Sequence, residues 1–94
     1  MSKFDDVKFS YIGWKHYLEW FKSGEKKSLN KINELIEDIK KNGELKGKGH
    51  PERLKHFNQE LYSREISKGD RLVYYPESES VLVIVSCRGH YNDK

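Results

Sequence analysis

From residue 10 onward the apolar positions follow two rhythms. Trp14, Tyr17, Leu18 and Phe21 recur at i, i+3, i+4 and i+7, the spacing of one helix face. Ser10 is placed to cap a helix starting near Tyr11, and Ser23-Gly24 to end it. A second helix is predicted over 25–42, with Leu29, Ile32, Leu35, Ile36 and Ile39 on one face, lysines and glutamates on the other, and Gly43 behind it. Both apolar faces read as a cover for a sheet. After residue 60 the pattern becomes that of strands, over 61–66, 70–75 and 81–87, separated by turns at Ser67-Lys68-Gly69 and over 76–80. The last strand is β-branched and apolar on both faces, as an interior strand is. With a short strand over 7–10, the order is β-α-α-β-β-β, an α+β domain with two helices ahead of an antiparallel meander.

One stretch follows neither rhythm. In Gly47-Lys48-Gly49-His50-Pro51-Glu52-Arg53-Leu54-Lys55-His56, glycines and a proline break regular structure, and potential cations surround one carboxylate. Glycine lets backbone approach a ligand, proline stiffens the approach, and carboxylate and imidazole move protons. It reads as one wall of a site.

Composition narrows the partners and compartment. The 94 residues suffice for one domain, and twelve aromatics among them supply a core despite the high charge content. A net charge of +3 favours anionic partners only modestly. The lone Cys87 excludes an internal disulfide, leaves no second thiolate for structural zinc, and fits a reducing cytoplasm. The longest apolar run, 81–85, is too short to cross a bilayer, so no membrane role is expected.

Absent motifs remove further classes: there is no phosphate-binding Gly-x-x-x-x-Gly-Lys-Ser/Thr loop, no Gly-x-Gly-x-x-Gly and no His-Glu-x-x-His. His16, His50, His56 and His90 lack metal-ligand spacing, so neither metal nor cofactor is expected. Cys87, in an apolar strand, reads as a small buried hydrophobe rather than a nucleophile. What remains is a proton-transfer and anion-binding set: Glu52 and Lys55 from the Gly-rich stretch, Arg71 from the middle strand, and Arg88, His90 and Tyr91 from the end of the last. A meander can bring these together. A carboxylate base, an imidazolium acid and a phosphate-holding guanidinium are the parts for RNA cleavage through the 2'-hydroxyl. Each residue also has a plainer reading. Taken alone, Glu52 after Pro51 fits the start of a helical turn, Arg71 a solvated charge, His90 an exposed terminal residue, and Lys55 and His56 a solvated basic face.

In Lys31-Ile32-Asn33-Glu34-Leu35-Ile36, the stretch 47–56, Tyr62-Ser63-Arg64, Arg71-Leu72-Val73-Tyr74 and Cys87-Arg88-Gly89-His90-Tyr91, the chain resembles the YoeB branch of the RelE-like bacterial toxins. The resemblance implies a RelE-like fold, a twisted antiparallel sheet with two N-terminal helices packed on it. It implies a ribosome-dependent endoribonuclease cutting mRNA in the ribosomal A site, without metal or cofactor. Glu52 then corresponds to the general base, His90 to the general acid, Arg71 to the phosphate-stabilising arginine and Tyr91 to a substrate-positioning tyrosine. Lys55, Arg64 and Arg88 join them as substrate-binding cations. The implied partners are a YefM-like antitoxin, the ribosome and mRNA, and a second copy in a homodimer. No helix-turn-helix is visible, so operator DNA contact falls to the antitoxin.

Two departures stand out. The family usually carries a second arginine directly after the position of Arg64, where this chain has Glu65. An anion there should weaken RNA binding, and Arg64 cannot substitute because adjacent strand residues face opposite ways. Either another cation, Arg88, compensates or the enzyme is slow. Family chains also commonly stop at the His-Tyr pair, whereas Asn92-Asp93-Lys94 follow here. Glu65 keeps open an alternative, a weakened or inactive member that binds RNA or its antitoxin and acts mainly in autoregulation.

Overall fold

The computed structural model describes residues 3–55 and 58–90. Strand β1 (Asp6–Phe9) runs into helix α1 (Tyr11–Ser23), then α2 (Lys26–Asn42), β2 (Glu52–Arg53), β3 (Tyr62–Ser67), β4 (Asp70–Pro76) and β5 (Val81–Ser86). Ser10 makes the first corner. Its hydroxyl accepts from the Gly13 N–H at 3.0 Å and donates to the Val85 carbonyl at 2.7 Å, so the cap of α1 is also its tie to β5.

The strands form one sheet in the order β1-β5-β4-β3-β2. Neighbours from β2 to β5 are antiparallel, but β1 lies parallel to β5, with Asp6 opposite Val81 and Phe9 opposite Ile84. The α+β class and helix order are as expected, while the sheet is mixed rather than antiparallel. A parallel pair needs a long crossover, and everything between β1 and β5 supplies it. The second difference is β2 itself. Glu52 starts no helical turn; it sits in a two-residue strand opposite Ser63.

The apolar face of α2 goes where its period points. Ile32, Leu35, Ile36 and Ile39 are buried against Tyr62, Ile66, Leu72, Tyr74, Leu82 and Ile84, with Leu29 packed at the margin. The other sheet face carries a smaller cluster of Leu54, Leu61 and Val73, flanked by Tyr75 and Val85.

Helix α1 does not follow its aromatic spacing. Trp14 and Phe21 stay 47% and 67% exposed, whereas Gly13 and Trp20 are the buried residues. The cause is close approach: a Cβ on Gly13 would lie 2.5 Å from the Ile84 carbonyl oxygen. The helix turns its smallest residue to the strand, and Trp20 reaches over to donate from Nε1 to the Cys87 carbonyl at 2.7 Å. Trp14 stacks on Tyr17 at the rim. Gly13→Ala is expected to destabilise the protein by about 1–3 kcal/mol through overpacking, against a helix-propensity gain of at most about 1 kcal/mol. A denaturant midpoint equal to or above that of the wild type would contradict this packing.

Candidate active site

Strand parity decides which side chains meet. Along β3, Tyr62, Arg64 and Ile66 face the helices, so Ser63 and Glu65 face the other way; along β4, Leu72 and Tyr74 face the helices and Arg71 and Val73 do not. Register then aligns Glu52 with Ser63 and Glu65 with Arg71 across the strands. Glu52, Ser63, Glu65 and Arg71 therefore share the face without helices.

Arg71 is the centre of this group. Its Nε donates to Ser63 Oγ at 3.0 Å, which orients the guanidinium across β3, and its Nη2 lies 3.2 Å from Glu52 Oε1. That approach is too poorly aligned for a hydrogen bond. Nη2 is the buried side-chain nitrogen that finds no hydrogen-bond partner among the described residues. An unsatisfied guanidinium N–H is costly to bury, and a phosphate oxygen would satisfy it. Glu52 remains 60% exposed and open to a substrate.

His90 is brought to the same end by backbone. The Arg71 N–H donates to the Gly89 carbonyl at 3.0 Å, and the Gly89 N–H donates to Asp70 Oδ1 at 2.7 Å. The exposed His90 thus lies one residue beyond a contact with Arg71. Upstream, α1 holds the segment through the Trp20 bond and through His16, whose Nδ1 accepts from the Cys87 N–H at 3.2 Å. Burial lowers the His16 pKa, which keeps that nitrogen free to accept. Cys87 is fully buried, and burial pushes its thiol up to about 12, the inert hydrophobe expected.

Two expectations fall away, for Arg64 and for the glycines. Arg64 is no substrate contact: its side chain is completely buried on the helix face, and all five of its N–H donors are taken by protein acceptors. Arg88, expected as a compensating cation, is half exposed and directed toward α1. It pairs with Glu19 at 2.9 Å and lies over the Trp20 ring, which holds it to α1. The glycines of the Gly-rich stretch bring backbone close to protein rather than to a ligand. Gly47, at φ +118°, leaves no room for a Cβ beside the Asp38 carboxylate, and Gly49, at φ +82°, lies against Leu35 and Arg64. Lys55 follows the buried Leu54 at the exposed edge beside β2. Tyr91, His56 and the segment Asn92-Asp93-Lys94 lie outside the described residues.

Sequence reading passed over Ser63 and Asp70, which orient Arg71 and Gly89. For Ser63 the alternation with Tyr62 and Arg64 was the available signal. It also passed over Asp38, which accepts from the Lys48 N–H at 3.0 Å and pairs with Arg64. Burial alone would raise the Asp38 carboxyl, but the Lys48 N–H and the guanidinium outweigh it and hold the pKa below its ordinary 3.8. A carboxyl depressed on folding stabilises the protein above its unfolded pKa and loses that contribution as pH falls through the lower folded value. The denaturant midpoint should therefore fall on acidification below about pH 4, and Asp38→Asn should flatten that dependence. An unchanged slope in the variant would remove Asp38 from the account.

A groove between α1, α2 and the β3–β4 turn, lined by Trp20, Ser28, Lys31, Ile66 and Asp70, includes neither Glu52 nor Arg71. The candidate site lies instead on the sheet face without helices, with Glu52 exposed and Arg71 largely buried. Among these residues no helix is long and apolar enough to cross a membrane.

The model of the YoeB-like toxins of bacterial type II toxin-antitoxin systems matches residues 9–91. The chain belongs to that family. It is 44% identical over 83 residues to toxin YoeB of Escherichia coli K12, covering 88% of this chain and 95% of that one. With toxin YoeB of Streptomyces coelicolor it shares 41% identity over 85 residues, or 90% and 98% of the two chains. Among solved structures, the YoeB dimer from Staphylococcus aureus superposes with a TM-score of 0.81 at 39% identity, covering 95% of this chain and 99% of that one. The YoeB-YefM complex from the same organism gives 0.80 at 39% identity, over 93% and 98%. The RelE-like fold extends to the RelE-RelB complex of Pyrococcus horikoshii, at 15% identity and a TM-score of 0.66 over 93% and 94%. This YoeB-family chain thus carries the α+β, RelE-like architecture implied by its sequence blocks.

Proposed function

We propose that this toxin is a ribosome-dependent endoribonuclease that cuts mRNA in the ribosomal A site and thereby inhibits translation. The observation that carries the reading is the buried, unsatisfied Nη2 of Arg71, held between Ser63 and the Glu52 carboxylate. Glu52 takes the proton from a 2'-hydroxyl, and that oxygen attacks the adjacent phosphorus. Arg71 neutralises the charge that develops on the phosphoryl oxygens, and His90, as an imidazolium, protonates the departing 5'-oxygen. The products are a 2',3'-cyclic phosphate and a 5'-hydroxyl. Lys55 and Tyr91 complete the proposed set by holding the RNA strand.

An mRNA with a single 2'-deoxynucleotide at the cut position, presented in a translating extract, tests this. It should stay intact there while the all-ribose message is cut. Equal cleavage of both would rule out 2'-hydroxyl attack.

The partners follow from the relatives. The Staphylococcus aureus toxin occurs as a dimer and in complex with YefM. For this chain we propose a homodimer and a YefM-like antitoxin, with an acidic segment that covers the cationic site and with operator binding left to the antitoxin. The compartment would be the cytoplasm, where ribosomes are found.

Glu65 supports a second reading, a weakened enzyme working mainly through antitoxin and operator. It is the direct cross-strand neighbour of Arg71 and sits on the same open face. Its charge competes with phosphate for that guanidinium. Glu65→Arg is expected to raise cleavage on the order of tenfold at low salt, with a smaller gain at high salt. Cleavage unchanged or reduced in the folded variant would show that Glu65 does not limit the enzyme.

A further inference from the structure

Resting on the assignment of Glu52 as base, we infer that Arg64 is a positioning residue: its buried guanidinium tethers the chain between α2 and β2 and so aims the Glu52 carboxylate at Arg71. Strand β2 has only two residues, paired with Tyr62 and Ser63 at the sheet edge. So short a strand does not hold its own direction, and what precedes it must. Arg64 makes that connection through five donors. Nη2 reaches the Gly43 and Lys46 carbonyls, both at 2.8 Å; Nη1 reaches the Lys48 carbonyl at 3.0 Å and the Asp38 carboxylate; and Nε donates to the Tyr74 hydroxyl at 2.9 Å. Tyr74 in turn donates to the Glu44 carbonyl at 2.7 Å.

The tether continues to the strand. The Lys48 N–H donates to Asp38 at 3.0 Å, and the Glu65 N–H donates to the Gly49 carbonyl at 2.6 Å. From Gly43 to Gly49 the backbone is thus fixed at five residues, ending three before Glu52. The planar guanidinium is what allows one side chain to satisfy acceptors on several sides; an ammonium keeps the charge for Asp38 but has three donors on a single atom. If Arg64 served only to fill space, an apolar side chain would do as well or better. A cluster aimed at the carbonyls of this one loop points to setting the loop.

The test uses the full-length chain with Arg64→Lys and, as a milder variant, Tyr74→Phe, each alone and combined with Glu52→Gln. Cleavage of ribosome-bound mRNA is measured together with amide hydrogen exchange. Arg64→Lys should lower kcat by roughly 30-fold or more while KM changes by less than about threefold, because binding groups stay and the base is misaligned. In the Glu52→Gln background it should cost almost nothing further, since two changes acting through one group do not add. Exchange should speed up over 43–52 while β4 and β5 stay protected. Where Arg64→Lys fails to fold, Tyr74→Phe must show the same pattern at smaller size.

Losses that add fully with Glu52→Gln, or unchanged protection of 43–52 in a folded variant, would overturn the inference. A loosened loop together with wild-type cleavage by Glu52→Gln would instead overturn the role of Glu52 as base and leave the tether standing.

Discussion

His90→Ala is expected to slow mRNA cleavage by roughly 100- to 10,000-fold, the usual cost of losing a general acid. The 5'-oxygen leaves as a strongly basic alkoxide unless a proton arrives with it. In the proposed site Glu52 is occupied in taking the 2'-hydroxyl proton, and a guanidinium does not give up a proton near neutral pH. His90 is the remaining donor, one residue beyond Gly89, whose carbonyl accepts from the Arg71 N–H. The defect should therefore depend on the leaving group. A message with sulfur in place of the bridging 5'-oxygen releases a thiolate that needs no proton, and His90→Ala should cleave it at close to the wild-type rate. A variant equally slow on both messages would remove His90 from the acid's role. In a bacterial host, growth arrest with mRNA loss should follow induction of the wild type and not of His90→Ala.

Arg71→Lys is expected to reduce kcat by roughly 100- to 1,000-fold, as for loss of a preorganised donor to a transition-state oxyanion. The guanidinium holds Ser63 with Nε while Nη2 points at Glu52; a lysine nitrogen cannot occupy both places. Stability should fall by only about 1 kcal/mol, the usual worth of the single Nε–Ser63 hydrogen bond given up, because Nη2 makes no hydrogen bond in the free protein. This separates the charge-stabilising role from a structural one. A denaturant midpoint that falls steeply, with kcat nearly preserved, would mean that Arg71 serves the fold instead.

The parts of the chain that were legible are those where one local rule decides the outcome. The face of α2 is buried as its period says, because a 17-residue amphipathic helix has a single stable way to lie on a sheet. Helix α1 departs from its pattern because the spacing of its aromatics does not decide which face packs. The contact was set instead by Gly13, where the lack of a side chain admits β5, and Trp14 and Phe21 were left outside. Arg64 shows the same limit in a strand. Its charge suggested solvent or substrate, yet its alternation with Tyr62 and Ile66 put it inside, and only the loop carbonyls from far along the chain explain how a charge is tolerated there. The pairing of Glu52 with Arg71 needed the register of β2 on β3, and a two-residue strand leaves no pattern to read.

The parallel seat of β1 against β5 has a consequence for synthesis. β5 separates β1 from the rest of the sheet, so a chain that has not yet extruded β5 has no place to put its first strand and nothing for Gly13 to rest on. The same late segment carries Gly89 and His90 into place beside Arg71. Closure of the sheet and completion of the proposed site are therefore one event, since both wait for β5 and the segment that follows it. A chain cut before β5 lacks both at once.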